Sequence, residues 1–311
     1  MNLAILLSVF TAFVIVFSSL LILNDMSNSE LARHSFFLDD FTEKQTILLI
    51  GSSHVSMLNA SHMNNMFSQQ DLNYTVFNLS YNGDKPSVRI NHLSELISLN
   101  PKLVIYGISY RDFTSSNLDK NTDHVFPDPK SLISEILPTT KFDKINPKYL
   151  TFNIIKDIIS QPISKESNLE FAYTPFISFS EKDTKILNNT QLLENPIGND
   201  PIYNIDPTMD NYEVKSLKKI VQKLNDESIP LIIFSTPLHE YNLEIIPDSA
   251  KQNFNILVDN IHSNSSFVYY DLSQNYSNLQ IWTDLGHISL NEKSIVYTDD
   301  IIKLILKEIG N

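Results

Sequence analysis

The sequence predicts an α/β protein, a three-layer sandwich in which helices cover both faces of a five-stranded parallel sheet. Three observations lead there. Five short apolar runs, Ile47 to Ile50, Tyr74 to Leu79, Leu103 to Tyr106, Leu231 to Phe234 and Phe267 to Leu272, are each bounded by turn-forming residues, as strands buried on both faces are. Amphipathic stretches of helical period alternate with them, at about 54–67, 87–99, 213–226, 246–262 and 290–309. A regular βα alternation needs long crossovers, which make neighbouring strands parallel. With 42% hydrophobic and 19% charged residues, the chain has enough apolar side chains to bury such a sheet.

Composition removes several classes of function. A chain of 311 residues without Cys has neither a disulfide framework nor a Cys-liganded zinc site. A formal net charge of −13 repels a phosphate backbone, so nucleic acid is not an expected partner. No spacing of His or carboxylates reads as a metal site, and no glycine-rich nucleotide loop is present, so neither metal nor organic cofactor is expected.

Ahead of the α/β body, Leu3 to Leu23 is uncharged and mostly apolar, about 31 Å long as a helix, enough to cross a bilayer once. Because the exit reads LILNDMSNSE, with no small-x-small cleavage site, residues 1–24 are expected to form an uncleaved transmembrane signal anchor. Residues 25–45 then form a polar juxtamembrane linker. Lys and Arg are missing before the span, and Asp25, Glu30, Asp39 and Asp40 follow it beside Arg33, which places the body, 46–311, outside the cell membrane. Six Asn-x-Ser/Thr sequons, at Asn59, Asn73, Asn78, Asn188, Asn264 and Asn275, are compatible with an exterior. An insertion rich in Pro, Asn, Asp and Lys, at about 113–211, separates the third strand from the helix preceding the fourth and is expected to cap the sheet edge. No internal repeat is present.

Taken in order, the strands deliver chemistry to one edge. The first ends at Gly51 and runs straight into a helix through Ser52 and Ser53, so that Ser53 is a candidate nucleophile next to the unpaired N–H groups of a helix start. Its alternative is a plain N-cap. The second strand leads to Gly83 and the third to Gly107. The fourth leads to His239, in FSTPLHE. After the fifth, IWTDLGHISLNE places Asp284 three residues before His287, so the carboxylate holds one ring nitrogen while the other faces the cleft. His239 is the main rival base. His54 adjoins Ser53 and is expected to point away along the new helix.

These residues resemble the SGNH, or GDSL-like, hydrolases. The first block of that family corresponds to Gly51-Ser52-Ser53-His54, its glycine block to Asn82-Gly83, and its final Asp-x-x-His block to Asp284-Leu285-Gly286-His287. The resemblance covers about residues 46–112 and 212–311 and implies a flavodoxin-like sheet. Ser at position 52 is similar to the membrane-anchored extracytoplasmic branch of esterases and acyltransferases, including the D-alanyl transfer protein of teichoic acid esterification. In the third block, where the family carries Gly-x-Asn-Asp, this chain has Gly107-Ile108-Ser109-Tyr110-Arg111-Asp112.

The expected activity is that of an extracytoplasmic serine esterase or O-acyltransferase acting on an acylated surface glycan, lipid or polymer. Ser53, His287 and Asp284 would form the catalytic set, with the oxyanion held by the N–H groups of Ser53 and Gly83 and by the Ser109 hydroxyl. Arg111 and His239 are candidate substrate contacts. The membrane is an expected partner through the N-terminal helix, and a membrane acyltransferase a further one. The alternative is a non-catalytic membrane-anchored binding or assembly partner that keeps a degenerate form of the fold.

Overall fold

One parallel sheet of order β2-β1-β3-β4-β5 organises the molecule, built from β1 (Gln45–Gly51), β2 (Tyr74–Asn78), β3 (Leu103–Ile108), β4 (Leu231–Ser235) and β5 (Val268–Asp271). The computed structural model describes residues 45–114, 181–194, 203–263 and 265–310, all within one compact unit. The anchor at 1–24, nearly all of the linker and most of the 113–211 insertion lie outside the described residues. Among the described residues, no helix is long and apolar enough to cross a membrane.

The helices are α1 (Ser53–Ser56), α2 (Ala60–Gln69), α3 (Pro86–Arg89), α4 (Leu93–Ser98), α5 (Asn189–Glu194), α6 (Tyr212–Asp226), α7 (Glu240–Ile245), α8 (Asp248–His262) and α9 (Ile295–Ile309). Successive side chains of a strand face opposite ways, so Ile47 and Leu49 of β1 enter one core and Leu48 and Ile50 the other. Met63 and Phe67 of α2 and Ile301 and Ile305 of α9 join the first core. Leu96 of α4, Leu217 of α6 and Phe254 of α8 join the second. All four β1 residues are 0% exposed, and burial of each contributes about 1.5–3 kcal/mol, which makes the central strand a rigid platform.

The helical stretch expected at 54–67 is two helices. The Asn59 carboxamide accepts the His62 main-chain N–H at 2.9 Å and starts α2 afresh, leaving α1 as a single turn. Gly107 sits inside β3 rather than after it, in register with Gly51. Strand order reverses between β1 and β3, and in open α/β sheets the crevice outside the carboxyl ends at such a point is where ligands bind.

Candidate active site

Two glycines at the switch point make room for the turn that carries Ser53. A Cβ on Gly51 (φ +141°) would lie 2.5 Å from Val55 Cγ2 and 2.6 Å from the Gly107 carbonyl oxygen, and one on Gly107 would lie 2.3 Å from the same methyl. Both positions therefore have to be glycine for Val55 to pack over the sheet edge and α1 to follow β1 directly. From the end of β2, the buried Asn78 amide donates to the carbonyls of Val55 (3.0 Å) and Leu58 (3.1 Å), closing the far end of that turn. Asn78, counted above among the sequons, is thus committed inside the protein.

His287 comes from a loop tied at its base. Trp282 and Ile288 form an antiparallel bridge, the Trp282 indole N–H donates to the Tyr276 carbonyl at 3.0 Å, and Trp282 is wholly buried. At the tip, Asp284 Oδ1 accepts the main-chain N–H groups of Gly286 and His287, both at 2.7 Å. Asp284 Oδ2 lies 2.9 Å from His287 Nδ1, and His287 Nε2 lies 2.8 Å from Ser53 Oγ. Burial alone would raise the Asp284 pKa, but the bond and charge of His287 together with these two N–H groups outweigh it and hold the carboxyl below its usual range. An ionised carboxylate only accepts, so His287 carries its proton on Nδ1 and turns the Nε2 lone pair to the Ser53 hydroxyl.

The remaining candidates fall into two groups. Gly83 (φ +71°) lies in the turn after β2, and among the described residues no protein acceptor takes the main-chain N–H of Ser53 or of Gly83. That turn is braced by an ion pair the sequence reading did not single out. Arg89, 0% exposed, donates through Nε to Asp84 Oδ2 at 2.9 Å and through a terminal nitrogen to the Leu79 carbonyl at 2.9 Å, and its guanidinium lies 4.7 Å from the Tyr81 ring centre. Removing one partner of a pair this buried typically costs about 3–5 kcal/mol. The signal available in the sequence was Asp84 directly after Gly83 with an Arg five residues further on.

After β3, Ser109 is buried together with its hydroxyl, and its main-chain N–H is taken by Asp112 Oδ2 at 2.7 Å. Burial pushes the Asp112 carboxyl up to about 7. Arg111 is exposed, and its charge reaches His54. His239 is not exposed to a cleft. It is 2% exposed, Nδ1 accepts the Tyr241 main-chain N–H at 3.2 Å, and the ring packs edge-on to Trp282, 5.6 Å between centres. His239 caps α7 and wedges behind the Asp284–His287 loop, which corrects its reading as a substrate contact or rival base. His54 does not point away from the site either. Its ring stacks on that of His287, with centres 4.7 Å apart and planes 16° from parallel. Among the described residues, no cluster of three or more His, Asp or Glu is arranged to hold a metal ion.

No protein-family model matches the sequence, and no curated protein is significantly similar to it. Solved structures of similar outline include TesA, 11% identical, with 83% of this chain aligned to 96% of that one at a TM-score of 0.42. Others are the psychrotrophic esterase EstA from Pseudoalteromonas sp. (10% identical, 86% and 100% covered, TM-score 0.42) and the acetyl xylan esterase AlAXEase (9%, 84% and 99%, TM-score 0.43).

Proposed function

We propose that this chain is an SGNH-type serine esterase or O-acyltransferase. The observation that carries the reading is the continuous relay from Asp284 through His287 to Ser53, assembled at the switch point from the loops after β1 and β5. Ser53 Oγ attacks an ester carbonyl carbon while its proton passes to His287 Nε2, and Asp284 stabilises the imidazolium. The Ser53 and Gly83 N–H groups receive the oxyanion. As the tetrahedral adduct collapses, His287 returns the proton to the leaving alcohol oxygen and an acyl group remains on Ser53. Water, or an acceptor hydroxyl, then attacks the acyl carbon as His287 takes its proton, and Ser53 Oγ leaves reprotonated.

The acyl substrate is proposed to be a surface glycan, lipid or polymer outside the cell, reached from a membrane anchor at residues 1–24, with a membrane acyltransferase as donor partner. The exposed Arg111 supports an anionic group near the ester. One observation favours a second reading, the non-catalytic partner. In the third block, the Ser109 N–H is engaged by Asp112, and no side-chain amide stands there. The test is turnover of p-nitrophenyl acetate by the full-length chain in detergent, with and without an added alcohol. Ester cleavage that disappears in Ser53→Ala supports catalysis, and an acylated alcohol among the products makes it a transferase. No cleavage by the native chain supports the binding partner.

A further inference from the structure

His54 follows the proposed nucleophile in sequence, yet its ring lies flat on that of His287. Its Nδ1 is 3.0 Å from the hydroxyl of Ser52, a buried residue, so the ring is pinned at one edge. His287 is thereby held on three sides. Asp284 fixes its Nδ1, Ser53 meets its Nε2, and His54 covers one face. The first two contacts act at the edge of the ring, and neither packs against its face. The flat His54 ring against the face adds a restraint on the plane that the two edge contacts do not supply.

We infer that His54 is a positioning residue for the general base, an aromatic platform that keeps the plane of His287 aligned between Asp284 and Ser53. The inference rests on the proposed roles of Ser53 and His287. Charge supports it. Burial first, then the nearby His287, lowers the His54 pKa to about 3, with Arg111 acting in the same direction and Asp284 against it. The platform therefore stays uncharged when His287 takes the Ser53 proton, and a cation over a neutral π-face is attracted rather than repelled. A second protonated imidazole in that place would oppose the proton transfer.

Three substitutions in the full-length chain in detergent separate the ring from its hydrogen bond. His54→Phe keeps the flat face, His54→Asn keeps a partner for Ser52 without the face, and His54→Ala keeps neither. Two readouts are followed, the rate at which a fluorophosphonate labels Ser53 and the downfield proton resonance of His287 Nδ1 against Asp284. His54→Phe should label at a rate within about threefold of the native chain with the resonance retained, since the face is what positions. His54→Asn and His54→Ala should label about 10-fold or more slowly and lose or broaden the resonance, because a small misplacement of the base is costly. Native labelling rates and an unchanged resonance in His54→Asn would overturn the inference, as would a His54→Phe that falls as far as His54→Asn. A native chain that does not label at all would remove the esterase reading, while the resonance still shows whether His54 orders His287.

Discussion

Asp112 and Asp284 make the same local contact, and their pKa values move in opposite directions. Each carboxylate accepts a main-chain N–H three residues away at 2.7 Å, from Ser109 for Asp112 and from His287 for Asp284. Asp284 has a second N–H and a histidine ring, and its pKa lies below the usual range. Asp112 is buried, and burial outweighs the Ser109 hydrogen bonding and the charge of Lys85, so its pKa rises to about 7. The contact closes a loop in both cases. At Asp284 an imidazole adds to the acceptor's surroundings and lowers the carboxyl pKa, which equips the turn after β5 to orient a base, whereas the same contact after β3 serves as a brace.

The largest effect should come from the equipped side. Ser53→Ala and His287→Ala should each lower ester turnover by roughly 10³-fold or more, with the double variant little worse than either, as groups acting as a unit do. His239→Ala should cost far less, and steady-state kinetics of the four proteins decide it.

The two carboxylates should then separate on amide substitution. Asp284→Asn should lower kcat by about 10²-fold or more, because the base loses its fixed tautomer. Asp112→Asn should act on stability instead. The folded pKa of Asp112, about 7, lies above its unfolded value of roughly 3.9, so native stability falls as pH rises through that interval and is level above it. The amide variant lacks this loss and should gain on the native chain by about 1 kcal/mol or more between pH 4.5 and pH 8, read from denaturant unfolding at each pH. A gain that shrinks as pH rises would contradict the assignment.

Smaller effects sharpen the picture of the third loop. Arg111→Ala should raise KM for an anionic ester by about tenfold and leave a neutral ester unchanged, since an exposed guanidinium contributes to binding and not to bond breaking. Ser109→Ala should lower kcat by no more than about threefold, as suits a hydroxyl below the surface. A tenfold loss in kcat at constant KM would instead make Ser109 an oxyanion donor and the loop more than a brace.

The sheet was legible because buried parallel strands are short apolar runs. Ile47–Ile50 is the centre of β1, and Leu231–Phe234 is all of β4 but its last residue. Ser53, Asp284 and His287 were legible because strand ends and a three-residue spacing put them at one edge. His54 and Arg89 were not. Neighbouring residues of a helix face about 100° apart, so period alone turns His54 away from Ser53, and its place in the site depends on His287 being brought over it from the far end of the chain. Arg89 reads as a surface charge until Asp84, the Leu79 carbonyl and Tyr81 are brought around it by tertiary packing. His239 likewise stands at the correct edge in sequence, and its burial against Trp282 depends on a loop some 40 residues later.

A Ser53 hydroxyl activated by His287 can be trapped covalently. Incubating the full-length chain with a fluorophosphonate and mapping the adduct by mass spectrometry should give a single modified residue, Ser53, with labelling lost in Ser53→Ala and strongly slowed in His287→Ala. An unmodified native chain, an adduct on another residue, or unchanged labelling of Ser53 in His287→Ala would contradict it.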